Sequence, residues 1–414
     1  MKLQFDRVCG LDVHRDTVAA CVRLPGSGAE RQEFVQTFGT TTAELLALRD
    51  WLGAHGVTHV AMESTGVLWK PVYYALEGAF TVLLVNAAHI KNVPGRKTDV
   101  KDCQWIAQLL ECGLLSASFV PPPEIRELRE LTRYRAELIH ERTREVQRLH
   151  KVLQDAGIKL SSVATNIMGV SGRAMVEALI QGTRDPGVLA ELAKSGLRKK
   201  LPQLREALRG RFGSRHAFVA GELLAHIDYI EEAMERLTER IEECLRPFAR
   251  EVEILQSIPG VKGKTAAKVL GEIGVNMKQF PSSKHIASWA GICPGNNKSA
   301  GKHKKCGTRK GNGWLKAALV EAAWGAVRNR NTAMSGQYFR LRSRLGPKKA
   351  IVAVAHSLLV IMYECLSHGK KYEELGADYY DKLNAKLLRD RYVNKLRRMG
   401  YTVTLERAVE DPAA

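Results

Sequence analysis

The run Pro121-Pro122-Pro123 constrains this chain most, because consecutive prolines stop helices and central strands, and the pattern differs on its two sides. Upstream, short apolar runs bounded by turn residues alternate with helical stretches. Downstream, apolar residues recur three and four apart over long segments. The expected architecture is an α/β domain followed by a mostly α remainder. Its expected parts are residues 1–120, a helical coiled-coil middle with an insert over 124–250, a mostly α domain over 251–370 and a basic tail over 371–414. At 414 residues the chain has room for more than one core.

Val8 to Leu24 reads as two strands around Arg15-Asp16, with Asp12 inside the first, where an unpaired acid is costly. A strand over Gln32 to Phe38, a helix from Thr42 to Ala54 and a strand from Val57 to Glu63 follow. Glu63 therefore ends a strand, the place where sheet proteins keep their sites. A helix through Trp69 and Tyr74, a strand from Thr81 to Val85 and a Gly-Arg-Lys loop at 95–97 lead to Lys97-Thr-Asp-Val-Lys-Asp-Cys-Gln-Trp-Ile-Ala107. If that stretch opens a helix, Asp99 and Asp102 share one face. Two carboxylates so close oppose each other's ionisation unless a cation lies between them. The plainer reading is a solvated first turn, where acids suit the helix dipole. Acids on two strands and a helix are the layout of ribonuclease-H-like, Holliday-junction-resolvase-like nucleases. Phosphoryl transfer needs metals fixed on the attacking and leaving oxygens, and hard oxygen ligands suit magnesium or manganese.

The chain carries 63 Lys and Arg against 44 Asp and Glu, a net +19, which argues for a polyanionic partner. Between Gly295 and Lys349 stand fourteen basic residues and one acid, Glu321. They are interleaved with glycine, Trp314, Trp324 and Tyr338, which favours an ordered nucleic-acid surface over a solvated charge run. Neutralising about eight phosphates there would weaken binding roughly ten-thousandfold between 50 and 200 mM salt. No membrane partner is expected. The most apolar run, Ala350 to Leu366, is broken by His356, Ser357, Tyr363 and Glu364 and reads as a buried helix. No secretory signal is read at the N-terminus. Eight scattered cysteines without a C-x-x-C pair read as reduced packing residues, and Cys293, His303 and Cys306 make at most an incomplete zinc cage.

Glu124 to Ala156 reads as a helix with Ile125, Thr132, Ile139, Val146 and Leu153 at heptad spacing. Arg135 and Arg142 spoil its other row, so a basic surface is expected. Residues 157–217 read as a less regular helical insert without an assigned task. Ala220 to Phe248 keeps the three-four alternation with acidic flanks, and is expected to pair with the Arg-rich helix within the chain or across a dimer. Leu255 to Gly274 resembles a helix-hairpin-helix module. Its hairpin, Pro259-Gly260-Val261-Lys262-Gly263, would bring backbone amides to a phosphate, with Lys262 and Lys264 adding charge. Further on, the loop Pro294 to Leu315 contains Ser299 among Lys302, Lys304, Lys305, Arg309 and Lys310. Such a serine is usually a turn residue, and becomes a nucleophile only beside a metal or base with cations holding the attacked phosphate.

Gly-Leu-Asp12-Val-His, Met-Glu63-Ser-Thr-Gly, Lys-Thr-Asp99-x-x-Asp102, Ile-Pro-Gly-Val and Asn-x-Ser299-Ala-Gly-Lys occur in one order over residues 8–370. That set resembles the DEDD-type insertion-sequence transposases, bridge-RNA-guided serine recombinases of bacterial mobile elements. The resemblance implies a RuvC-like domain whose Asp12, Glu63, Asp99 and Asp102 bind Mg2+ or Mn2+, and a transposase domain over 251–370 with Ser299 as nucleophile. It also implies donor and target DNA, a guide RNA, a dimer or tetramer, and a cytoplasmic, nucleoid-associated location. Two other readings stand beside it: a metal-dependent junction nuclease that hydrolyses with water, and a non-catalytic nucleic-acid binder whose acids pair with Arg and Lys. The four-acid layout argues against the last.

Overall fold

The computed structural model describes residues 3–26, 30–64, 66–86, 102–295, 298–299, 302–303, 307–383 and 385–406. The chain divides into two compact units, Met1–Val120 and Pro121–Ala414.

The first unit is a five-stranded sheet of order β3-β2-β1-β4-β5. β1 (Val8–Val13), β2 (Thr17–Pro25) and β3 (Arg31–Gly39) run antiparallel, while β4 (His59–Glu63) and β5 (Thr81–Val85) run parallel to β1 and to each other. Strand periodicity sorts the side chains. Cys9, Leu11 and Val13 meet α1 (Thr42–Ala54) and α2 (Trp69–Leu76) on one face. Val8 and Ala61 meet α3 (Asp102–Glu111) on the other. Because both faces of the central strands are covered, Val8-Cys9-Gly10-Leu11 is apolar throughout rather than alternating.

Gly10 sets how close α3 comes. A Cβ there would lie 2.2 Å from Cys103 O and 2.3 Å from Ala107 N, so helix and strand touch backbone to backbone. At the other end of α3, Glu111 is 2% exposed and takes Arg23 Nε at 3.0 Å and Arg31 Nη2. Gln104 Nε2 donates to Glu33 Oε2 at 3.0 Å, tying the same helix to the edge strand. Glu111→Ala would leave the mostly buried Arg31 guanidinium without its carboxylate and Arg23 with Glu33 alone. It is expected to cost about 3–5 kcal/mol of stability, read as a lower urea midpoint.

In the second unit, α4 (Pro123–Asp155) and α8 (Ser214–Leu245) form an antiparallel pair within the chain. On α4, Ile125, Thr132 and Leu153 of the expected heptad row are buried together with Leu128, Leu138 and Leu149, while Ile139 of that row is 37% exposed. Two other expectations are corrected. The arginines of the other row face α8: Arg135 Nε donates to Thr238 Oγ1 at 2.9 Å, and Arg142 Nε to Glu231 Oε1 at 2.6 Å. Long guanidinium stems cover apolar surface while their heads find acceptors, so a row with arginines still packs. The second helix also stops at Leu245, because Pro247 lies in the 3-10 turn that follows.

Residues between the two long helices fold onto them. α5 (Val170–Ile180), α6 (Pro186–Glu191) and α7 (Leu201–Ala207) share a core with Leu149, Leu153 and Ile227. Arg173 clamps Asp228 of α8 through two hydrogen bonds of 2.6 and 2.7 Å, which holds that carboxyl below its usual range. The insert thus braces one end of the pair.

Next come α9 (Ala249–Gln256), α10 (Gly263–Ile273), α11 (Ser283–Trp289), α12 (Gly313–Ala326), α13 (Ala333–Leu345) and α14 (Pro347–His368). Among the described residues, α14 is the one helix long and apolar enough to cross a membrane. Here its Ala350, Val354, Leu358 and Met362 are fully buried against neighbouring helices. The chain continues through α15 (Tyr379–Leu383) and α16 (Ala385–Arg398), the latter carrying exposed Lys386, Arg389, Arg391, Lys395, Arg397 and Arg398.

Candidate functional site

The first unit brings acids from separate elements to one face. Leu11 of β1 pairs with Met62 of β4, so Asp12 and Glu63 stand one step beyond that pair, about 5 Å apart at the backbone. Alternation puts Asp12 on the face of Gly10 and Glu63 on the face of Ala61, and both faces pack on α3. Asp102 is the first residue of α3. Asp99 lies outside the described residues. Among the described residues, no group of three or more His, Cys, Asp or Glu is placed to hold a metal ion. The chemistry of the acids fits a hard cation nonetheless: carboxylate oxygens at strand ends, with the Asp12 side chain 27% exposed.

His14 is a neighbour the sequence reading did not use. Its Nε2 lies 3.1 Å from Asp12 Oδ2, and the spacing Asp-Val-His had already placed both on one side of the strand. The thiols nearby are packing groups. Burial raises the pKa of Cys9, and burial followed by the charge of Glu33 pushes Cys21 up to about 12, so neither supplies a thiolate near neutral pH. The seven described cysteines are free. Cys306 lies outside the described residues, as do Lys304 and Lys305.

In the second unit, Ser299 belongs to a narrow two-stranded arm. Gly291, at φ +68°, and Gly311 close its base, where a Cβ on Gly311 would lie 2.3 Å from Gly291 N. Above them Arg309 N donates to Cys293 O at 3.3 Å and Gly295 N to Gly307 O at 2.9 Å. β6 (Lys298–Ser299) then pairs antiparallel with β7 (Lys302–His303), Ser299 opposite Lys302. Arg309 and Lys310 are exposed on the returning strand.

The returning strand is anchored by a residue that sequence reasoning missed. Glu272 of α10 is 2% exposed and accepts Arg133 Nε and Nη2 at 2.7 and 2.8 Å, and Asn312 Nδ2 at 2.6 Å. Asn312 Oδ1 in turn caps α12 by accepting from Leu315 N at 3.1 Å. The available signal was an acid inside an apolar helical run, Val269-Leu-Gly-Glu-Ile273, with α4 rich in arginine.

The expected hairpin is a turn between α9 and α10, and its first glycine does a different task from the one expected. Gly260 has φ +82°, and a Cβ there would lie 2.3 Å from Ala322 O and 2.4 Å from Ala326 N. It therefore seats the turn on α12 instead of exposing itself to a phosphate. Lys262 precedes the first turn of α10, Gly263 opens it, and Lys262 and Lys264 are exposed.

A DEDD transposase model of the IS110 type matches residues 9–158, and a model of the IS116/IS110/IS902 transposase family matches residues 252–339. A Sinorhizobium fredii protein named as transposase y4rJ is 26% identical over 62% of this chain and 61% of its own length. The 43.6 kDa protein of insertion element IS110 from Streptomyces coelicolor is 34% identical over 29% of this chain and 30% of its own. The pilin gene-inverting protein of Moraxella bovis is 28% identical over 32% of this chain and 41% of its own. The matches therefore span less than two thirds of each of these relatives. The two family models fall on the sheet with the first long helix and on the region of the serine arm, together more than half of the chain, and they make it a member of the IS110/IS116 transposase family.

Proposed function

We propose that the chain is a transposase that cuts and rejoins DNA through a phosphoserine at Ser299, with Asp12, Glu63, Asp99 and Asp102 as ligands of magnesium or manganese. The observation that carries the reading is the level placement of Asp12 and Glu63 on adjacent parallel strands, on the face covered by the helix that Asp102 opens. Sheet order and strand directions support a RuvC-like, ribonuclease-H-like fold for the first unit. Divalent ions bound there would stabilise charge on the attacking and leaving oxygens. Ser299 Oγ would give up its proton and bond to the phosphorus, and the strand's own oxygen would leave and take up a proton as a free hydroxyl. A phosphodiester is kept in that exchange, so a second DNA end can reverse it without an energy source. Lys302, Lys304, Lys305, Arg309 and Lys310, close to Ser299 in sequence, would hold the phosphate. Hydrolysis by water is not favoured, since both matched families are transposases.

A guide RNA and a dimer or tetramer complete the proposal, and the net charge of +19 suits two polyanions. Protein co-expressed with RNA from the region beside its gene, then given magnesium with donor and target DNA, is expected to yield joined strands. Leaving out magnesium or digesting the RNA should remove them. Strands that are cut and never joined would contradict the proposal.

A further inference from the structure

The second unit holds an open groove of about 1370 Å³ between the end of α8, α9, the start of α10 and α12. Two glycines create its geometry. Gly260 of the turn and Gly325 of α12 touch backbone to backbone, a Cβ on Gly325 lying 3.2 Å from Gly260 Cα. Trp324, one residue earlier on α12, is thereby set in the wall of the groove into which the start of α10 opens. Trp324 is 42% exposed, and its indole is braced by the ring of buried Tyr338 at 5.7 Å.

The other wall offers donors. The amides of Gly263 and Lys264, in the first turn of α10, make no protein hydrogen bond among the described residues. Thr265 lines the groove while only 8% exposed, and its hydroxyl likewise has no protein partner among the described residues. A threonine hydroxyl that lines a groove can donate to an acceptor on a ligand. Lys262, Lys264 and Arg328 add positive charge to the same walls. Glu242 and Glu321 add acceptors, and Lys268 Nζ lies 2.9 Å from Glu321.

We propose that this groove takes one unpaired nucleotide of a DNA strand, its phosphate on the first turn of α10 and its base stacked on Trp324. The proposal rests on the DNA-rejoining reading above and deepens it by naming the form of DNA bound here. A helix N-terminus with free amides and lysines suits a phosphate. A half-exposed indole suits any base face. A base within a duplex is stacked on both sides and cannot reach the indole, whereas a looped-out base can. The carboxylates of Glu242 and Glu321 are acceptors for an exocyclic amino group.

The test titrates full-length protein against a labelled duplex with one looped-out adenosine and against the same duplex fully paired. The looped duplex is expected to bind more tightly. Trp324→Ala is expected to weaken it about tenfold while moving the paired duplex by no more than about twofold. Trp324→Phe, which keeps a ring, should retain most of the preference. Equal losses on both probes, or no loss, would overturn the proposal while DNA binding stands. Failure of the wild-type protein to bind either duplex at low salt would sink the DNA reading underneath it. An RNA probe with the same looped-out base that loses more than the DNA probe would overturn the assignment to DNA.

Discussion

Ser299→Ala is expected to abolish protein-linked DNA and joined products, by about a thousandfold or more, while leaving DNA affinity within about twofold of wild type. The size of the loss follows from the chemistry. Alanine offers no oxygen to bond to phosphorus, and water reaching the same phosphate would release an end that cannot be rejoined. The small change in affinity follows from the structure. The arm is held at its base by Gly291, Gly311 and the Asn312–Glu272 bond, none of which involves the Ser299 hydroxyl. Denaturing gels would read the adduct, and anisotropy on labelled donor DNA would read the affinity. A variant that still forms the adduct would show that another side chain attacks.

The second large effect is expected at Asp12. Asp12→Asn keeps the side chain's shape, so the strand pairing from Val8 to Val13 should survive. It removes a full negative charge from the face shared with Glu63. Strand cleavage should fall about a thousandfold or more, and magnesium binding measured by calorimetry should weaken with it. The calorimetric arm separates a lost ligand from a misplaced DNA. Unchanged magnesium affinity with lost cleavage would remove Asp12 from the metal site.

Much of this was legible in residues close together in sequence. The helix over Thr42–Ala54 and the strand over Thr81–Val85 declare themselves through local periodicity, and the structure has both at those bounds. Asp12 and Glu63 could be placed on strands for the same reason, and their shared level then follows from β1 and β4 being parallel neighbours. What stayed hidden depends on partners far along the chain. Gly260 reads equally well as a glycine freeing amides for phosphate and as one admitting another helix, and α12, which decides between them, begins at Gly313. Glu111 and Glu272 look like surface acids until Arg23, Arg31 and Arg133 are brought against them. Arg135 and Arg142 read as a break in a heptad row because spacing does not reveal that α8 supplies Thr238 and Glu231. Long-range pairing fixes each of these, and periodicity carries no record of it.

The central claim is that the chain joins DNA through its own serine. The most direct measurement traps wild-type protein on labelled donor DNA with magnesium and co-expressed RNA, digests it with protease and sequences the DNA-linked peptide by mass spectrometry. The account predicts a phosphodiester on Ser299. A link to any other residue, or cleaved ends carrying no peptide, would contradict it.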